Sequence, residues 1–157
     1  MIPGDPLETL AENDLGMNVK MCRRLSVGRE FQNLRVLIAE DNIVNQKVLV
    51  RLLKQIGIRN ITVVDNGEKA VNLCLNLEQH FDVILIDKQM PVMDGLEACR
   101  LIMADELIQR KPRIVFVTAE VTSDLMERCL KAGCSAFLPK PFHLADIESI
   151  FQKLLPE

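Results

Sequence analysis

Phe81-Asp82-Val83-Ile84-Leu85-Ile86-Asp87-Lys88-Gln89-Met90-Pro91-Val92-Met93-Asp94-Gly95 is the stretch that decides how this chain folds. Residues 83–86 are a short apolar run rich in β-branched side chains, which predicts a strand buried on both faces. The run stops abruptly at the charged Asp87. Pro91 disfavours helix at Met90, so residues 88–91 read as a loop. Asp94 and Glu97 stand at capping-box spacing ahead of Leu96, Cys99, Ile102 and Met103, which recur with helical period. Strand, loop and helix in that order put Asp87 at the carboxyl end of a buried strand, where open α/β sheets bind their ligands.

The same alternation repeats on either side. Residues 36–39 predict a strand ending in Glu40-Asp41-Asn42, followed by a helix marked by Val44, Val48, Leu52, Leu53 and Ile56 and closed by Gly57. A strand over 61–64 turns through Asp65-Asn66-Gly67-Glu68 into a helix carrying Ala70, Val71, Cys74 and Leu77. After the third helix, residues 105–113 are polar, contain Lys111-Pro112, and form a loop slightly long for its class. Residues 114–118 are the fourth strand. Ser123 is placed to cap a helix bearing Leu125, Cys129 and Leu130, which Gly133 ends. A short fifth strand over 136–138 runs into Pro139-Lys140-Pro141, and Leu144, Ile147, Ile150 and Leu154 mark a last amphipathic helix. Five strands alternating with five helices predict a parallel sheet with right-handed crossovers and helices on both faces. Periodicity does not contain the strand order.

At 157 residues the chain can bury one full core with some surplus. That surplus is residues 1–33, which read as a flexible arm or linker ahead of a domain spanning 34–157. Asp5, Glu8, Glu12 and Asp14 come first in it, then Lys20, Arg23, Arg24 and Arg29; a helix over 7–15 is compatible with the spacing. Arg23-Arg24-Leu25-Ser26 resembles the acceptor pattern of basophilic serine kinases, although such short matches are common in solvated linkers. Apolar residues make up 48% of the chain, yet no run approaches the roughly 18 needed to span a membrane. A net charge of -3 offers nucleic acid no general attraction. No signal peptide opens the sequence, and five cysteines without a C-x-x-C pair point to a reducing, cytoplasmic setting.

The ends of the predicted strands carry a chemistry of their own. The first offers Glu40 and Asp41, the third Asp87, the fourth Thr118, and the fifth leads to Lys140. In a parallel sheet these carboxyl ends lie along one edge and can converge. Three carboxylates in one pocket repel each other, and a hard divalent cation removes that conflict. Magnesium fits, since it is commonly held by one or two carboxylates alongside water and phosphate oxygens. Lys140 supplies a point charge for a phosphoryl oxygen and Thr118 a hydroxyl donor.

With Glu40-Asp41-Asn42, Asp87-x-x-Met90-Pro91-x-Met93-Asp94-Gly95, Thr118-Ala119 and Phe137-x-x-Lys140-Pro141 in place, residues 34–155 resemble a response-regulator receiver domain. Asn42 with Asn45-Gln46-Lys47-Val48 is further similar to receivers attached to hybrid histidine kinases. The resemblance implies a flavodoxin-like sheet of order 2-1-3-4-5 and a phosphoryl group accepted by Asp87 from a partner's histidine, on a histidine kinase or histidine phosphotransfer protein. It implies magnesium on Asp41, Asp87 and the Gln89 backbone carbonyl, with Glu40 acting largely through water. Lys140 would contact the phosphoryl group, Thr118 would bind it once attached, and Phe137 would respond. Gln89 and Glu120 take the positions that modulate acyl-phosphate lifetime, and Ala119 is small enough to leave access. The downstream face would be the fourth helix, fifth strand and fifth helix, around Met126, Phe137 and Ile147. The Lys140-Pro141 bond is expected cis, aiming the ammonium back across the sheet edge.

His80 and His143 sit in connections and do not read as phosphodonors, and no glycine-rich ATP loop is present. The chain is therefore expected to receive phosphate and to catalyse only its own labelling and hydrolysis. A magnesium-dependent aspartyl-phosphate phosphatase would need a second Asp where Gln89 stands. A flavin mononucleotide carrier would offer hydroxyls and amides where Glu40 and Asp41 stand. A scaffold receiver that never carries phosphate is the remaining alternative, separated by whether acetyl phosphate with magnesium adds mass.

Overall fold

A computed structural model describes residues 31–155. The helix over 7–15, Cys22 and the Ser26 acceptor pattern lie outside the described residues. The elements run β1 (Arg35–Ala39), α1 (Ile43–Gln55), β2 (Asn60–Val64), α2 (Gly67–Leu75), β3 (Val83–Asp87), α3 (Gly95–Ala104), β4 (Arg113–Thr118), α4 (Ser123–Ala132), β5 (Ala136–Pro139) and α5 (Leu144–Leu154). All neighbouring strands pair in parallel, in the order β2-β1-β3-β4-β5.

Period-two alternation divides the core. Leu37, Ile84, Ile86, Ile114 and Phe116 point to the face covered by α2, α3 and α4. Val36, Ile38, Val83, Leu85, Val115 and Val117 point to the face covered by α1 and α5. Both faces being covered explains why residues 83–86 are apolar without a break.

The helix starts are set by short polar side chains. Asn42, Asn66 and Asp94 each accept the backbone N–H three residues on, from Asn45, Lys69 and Glu97. At α4 the cap is Thr122, whose hydroxyl accepts from Leu125 N–H at 3.2 Å, and not the expected Ser123. Both residues can cap; the β4–α4 connection decides which hydroxyl faces the helix end. Gly133, at φ +104°, supplies the left-handed residue that ends α4.

Three further expectations are corrected by packing. Phe31, assigned to the arm, is 1% exposed, with its ring 5.6 Å from that of Phe151, so the domain begins before residue 34. Ile147, expected on the downstream surface, is 1% exposed and joins the α1/α5 core. Val44, Leu77 and Leu130, read as inward positions, are exposed, whereas Leu49 and Leu53 form the buried stripe of α1. Among the described residues no helix is long and apolar enough to cross a membrane.

Candidate functional site

The register of the sheet builds the site. Ala39 pairs with Ile86, which sets Glu40 level with Asp87 at the ends of β1 and β3. Thr118 pairs with Pro139, so Lys140 follows directly beside β4, and its N–H donates to the Thr118 carbonyl at 2.9 Å. The Lys140-Pro141 bond is cis, as expected. Glu40, Asp41, Asp87, Gln89, Thr118, Ala119, Glu120 and Lys140 all line one open cleft of about 520 Å³. The structure therefore brings together all the expected site residues except Phe137, which lies beneath, half-buried and stacked on Phe116 at 6.2 Å.

The Lys140 ammonium bridges two carboxylates, 3.1 Å from Asp87 Oδ2 and 3.2 Å from Glu40 Oε1. Burial raises the Glu40 pKa above the ordinary carboxylate value, and the adjacent Asp87 carboxylate raises it further. Lys140 and the Asn42 N–H pull the other way without cancelling these. Burial alone would lower the Lys140 pKa, but hydrogen bonds and charge from Asp87 and Glu40 outweigh it, so the ammonium is held charged.

Glu40, Asp41 and Asp87 each present an oxygen within 4.8 Å of the others, a cluster that could hold a metal ion. With all three ionised, three carboxylates and one ammonium leave two negative charges, which a divalent cation neutralises. Hard oxygen donors without nitrogen or sulfur suit magnesium better than zinc or copper. The donor set fits the expected ion.

The loop after β3 is held by close backbone contacts. Gly95 N–H donates to the Lys88 carbonyl at 2.9 Å, and a Cβ at Gly95 would overlap the Asp87 carbonyl oxygen. Gly67 N–H, at the start of α2, donates to the Met93 carbonyl at 3.0 Å, and a Cβ there would overlap that oxygen. Between these clamps Val92 sits at φ +69°, a conformation a β-branched residue rarely adopts. Gln89 N–H, on the same loop, donates to Asp87 Oδ1 at 3.2 Å. Thr118 is buried, and among the described residues its hydroxyl is engaged only by Glu120, accepting from its N–H at 3.1 Å and donating to its carbonyl at 3.3 Å.

Two contributors went unassigned in the sequence reading. Gln46, in the first turn of α1, donates its side-chain amide to the Glu40 backbone carbonyl, and the N–H of the cap residue Asn42 reaches Glu40 Oε2 at 3.3 Å, so the start of α1 holds Glu40 by backbone and carboxylate together. Their signal was positional: Asn42 lies three residues past the strand end and Gln46 in the first turn of the helix that follows.

A family model for the response regulator receiver domain matches residues 36–152. The chain is 38% identical over 125 residues to hybrid signal transduction histidine kinase K of Dictyostelium discoideum, a match covering 76% of this chain and 10% of that protein. It thus spans a small fraction of its relative's length. The fold is similar to the receiver domain of sensor histidine kinase PA1611 from Pseudomonas aeruginosa PAO1, which holds a magnesium ion in its active-site cleft; the TM-score is 0.69 at 37% identity, covering 79% of this chain and 98% of that one. It is also similar to the Saccharomyces cerevisiae Ssk1 receiver domain crystallised with the histidine phosphotransfer protein Ypd1, at TM-score 0.70 and 30% identity over 79% of this chain and 90% of that one.

Proposed function

The chain belongs to the response-regulator receiver family, and from that premise we propose that Asp87 accepts a phosphoryl group from a partner's phosphohistidine. The observation that carries the reading is the Asp87 carboxylate itself, held at the end of β3 in an open cleft, 3.1 Å from an ammonium and beside two further carboxylates. Asp87 Oδ attacks phosphorus, a P–O bond forms as the P–N bond breaks, and the electron pair returns to the histidine ring. Lys140, already on Asp87 Oδ2, moves its charge onto the transferred oxygens. Glu40, Asp41, Asp87 and the Gln89 carbonyl would hold magnesium, which when bound supplies charge neutralisation at the phosphoryl oxygens.

Afterwards Thr118 exchanges its bond to the Glu120 carbonyl for one to the phosphoryl oxygens. Its inward shift leaves room for Phe137 to turn, changing the surface of α4, β5 and α5 for a downstream protein. Water later hydrolyses the acyl phosphate at a rate set in part by Gln89 and Glu120, so the mark is temporary. The donor is a histidine kinase or histidine phosphotransfer protein. Exposed Ile43 and Val44 open α1 next to Asn42 and Asn45 at the cleft, an apolar landing beside the nucleophile. We place the exchange in the cytoplasm, where the four buried thiols stay reduced.

Acetyl phosphate with magnesium should add the mass of one phosphoryl group, and chelating the metal should prevent it. Asp87→Asn should remain unlabelled, because an amide cannot form the acyl phosphate. Stoichiometric labelling of that variant at another residue would refute the assignment.

A further inference from the structure

Helix α1 carries Lys47, Arg51 and Lys54 at spacings of four and three, so they share one face, and the helix contains no acidic residue. All three are exposed, and none forms an ion pair among the described residues. On α2, α3 and α4, by contrast, Lys69, Arg100, Arg128 and Lys131 each have an acidic partner on or beside their own helix, and α5 carries a single unpaired cation, Lys153, among the described residues. With Gln46, Val50 and the exposed Val63 of edge strand β2, the three cations line a groove of about 400 Å³. Its floor is apolar and its rim is cationic, in a chain whose net charge is -3.

The acidic counterpart lies in the same chain. Residues 5–14 hold Asp5, Glu8, Glu12 and Asp14 with no Lys or Arg before Lys20, interleaved with Leu7 and Leu10 and followed by Leu15. We propose that this acidic, leucine-bearing segment docks in the α1/β2 groove, its carboxylates meeting Lys47, Arg51 and Lys54 and its leucines meeting Val50 and Val63. The tether permits it. Phe31 is anchored in the same buried cluster as Leu49 and Leu53 of α1. From Leu15 to Phe31 the chain can extend up to ~50 Å, against ~20 Å for the length of α1. An exposed ion pair on its own contributes little; several pairs formed intramolecularly, at an effective concentration on the order of mM, act together. The intervening Lys20, Arg23, Arg24 and Arg29 are repelled by the groove and belong to the tether. The docking itself does not rest on the proposed function.

The test is a spin label on the full chain at position 11, introduced as Ala11→Cys in a Cys22→Ser background. The four remaining cysteines are buried, with thiol pKa values pushed up, those of Cys74 and Cys99 to about 12, and so resist labelling. Amide signals of Lys47, Val50, Arg51, Lys54 and Val63 should lose half or more of their intensity to the label and recover when it is reduced. The loss should vanish with Lys47→Glu, Arg51→Glu and Lys54→Glu together. It should also fade in the wild-type background as salt approaches 1 M, where the Debye length is about 3 Å. Unbroadened α1 signals overturn the proposal and leave the groove to a separate partner. Broadening that ignores both charge reversal and salt, or that centres on another face, overturns it equally. Labelling Asp87 with acetyl phosphate in the same samples reports separately on the phosphoryl site, so the two readings fail independently.

Discussion

Removing the Thr118 hydroxyl should separate marking from switching. The Thr118 side chain bonds neither the Asp87 carboxylate nor the Lys140 ammonium; among the described residues its hydroxyl bonds only to Glu120, at 3.1 and 3.3 Å. Thr118→Ala should therefore still accept phosphate from acetyl phosphate. Once Asp87 is labelled, the wild-type hydroxyl gives up an ordinary hydrogen bond of net ~0.5–1.5 kcal/mol for one to a charged group of ~1.5–3 kcal/mol. The net gain of ~1–2 kcal/mol corresponds to about a 5- to 30-fold bias toward the switched state. Carrying the equilibrium from 1:99 to 99:1 takes about 5.5 kcal/mol, so Thr118 supplies part of the drive and other phosphoryl contacts the rest. The assay is fluorine NMR on protein carrying fluorophenylalanine, where Phe137 is one of six resonances. After labelling, the ratio of switched to unswitched Phe137 signal in Thr118→Ala should be lower than wild type by about 5- to 30-fold. An unchanged ratio at equal phosphorylation would sink the coupling, and loss of labelling would show that Thr118 belongs to the transfer step.

Phe31→Ala should destabilise the domain by about 3–5 kcal/mol, the range for an aromatic lost from a core, because the ring is buried against Phe151. Urea unfolding followed by circular dichroism measures it, and a loss near zero would mean that the ring does not pack there in solution. Glu40→Gln should flatten the pH dependence of stability in the metal-free protein. The folded pKa of Glu40 is raised above its unfolded value, so the native state holds the proton longer and stability falls as pH climbs from the ordinary carboxylate range through the raised value. The variant lacks that titration, while magnesium affinity measured by calorimetry should drop with the lost carboxylate. Identical acid-to-neutral stability profiles for the two proteins would contradict the raised value.

Much of this molecule was legible before any coordinates. Short unbroken apolar runs located the five strands and a period of 3.6 the five helices, because both patterns are local consequences of which faces are buried. The strand-end residues Glu40, Asp41, Asp87, Thr118 and Lys140 were legible for a related reason: parallel pairing forces all carboxyl ends to one edge, whatever the strand order. Strand order came from resemblance to the receiver family, since no local pattern specifies which strands are neighbours.

Packing decided the rest. Phe31 is a single apolar residue in polar surroundings, and nothing nearby in sequence announces Phe151, 120 positions on, as its partner. Thr122 and Ser123 are equally good caps on paper, and only the path of the chain out of β4 chose between them. Likewise Val44 and Leu53 both fit a helical stripe, but only the crossing of α1 over the sheet determines which turns inward. Element types and the chemistry gathered at the sheet edge follow from neighbours along the chain, and so could be read from residue order. Packing between distant segments set Lys140 within about 3 Å of two carboxylates and made Gly67 carry the loop behind Asp87. Such distances are set by register and interlocking side chains between residues far apart in the chain, which no single stretch of sequence encodes.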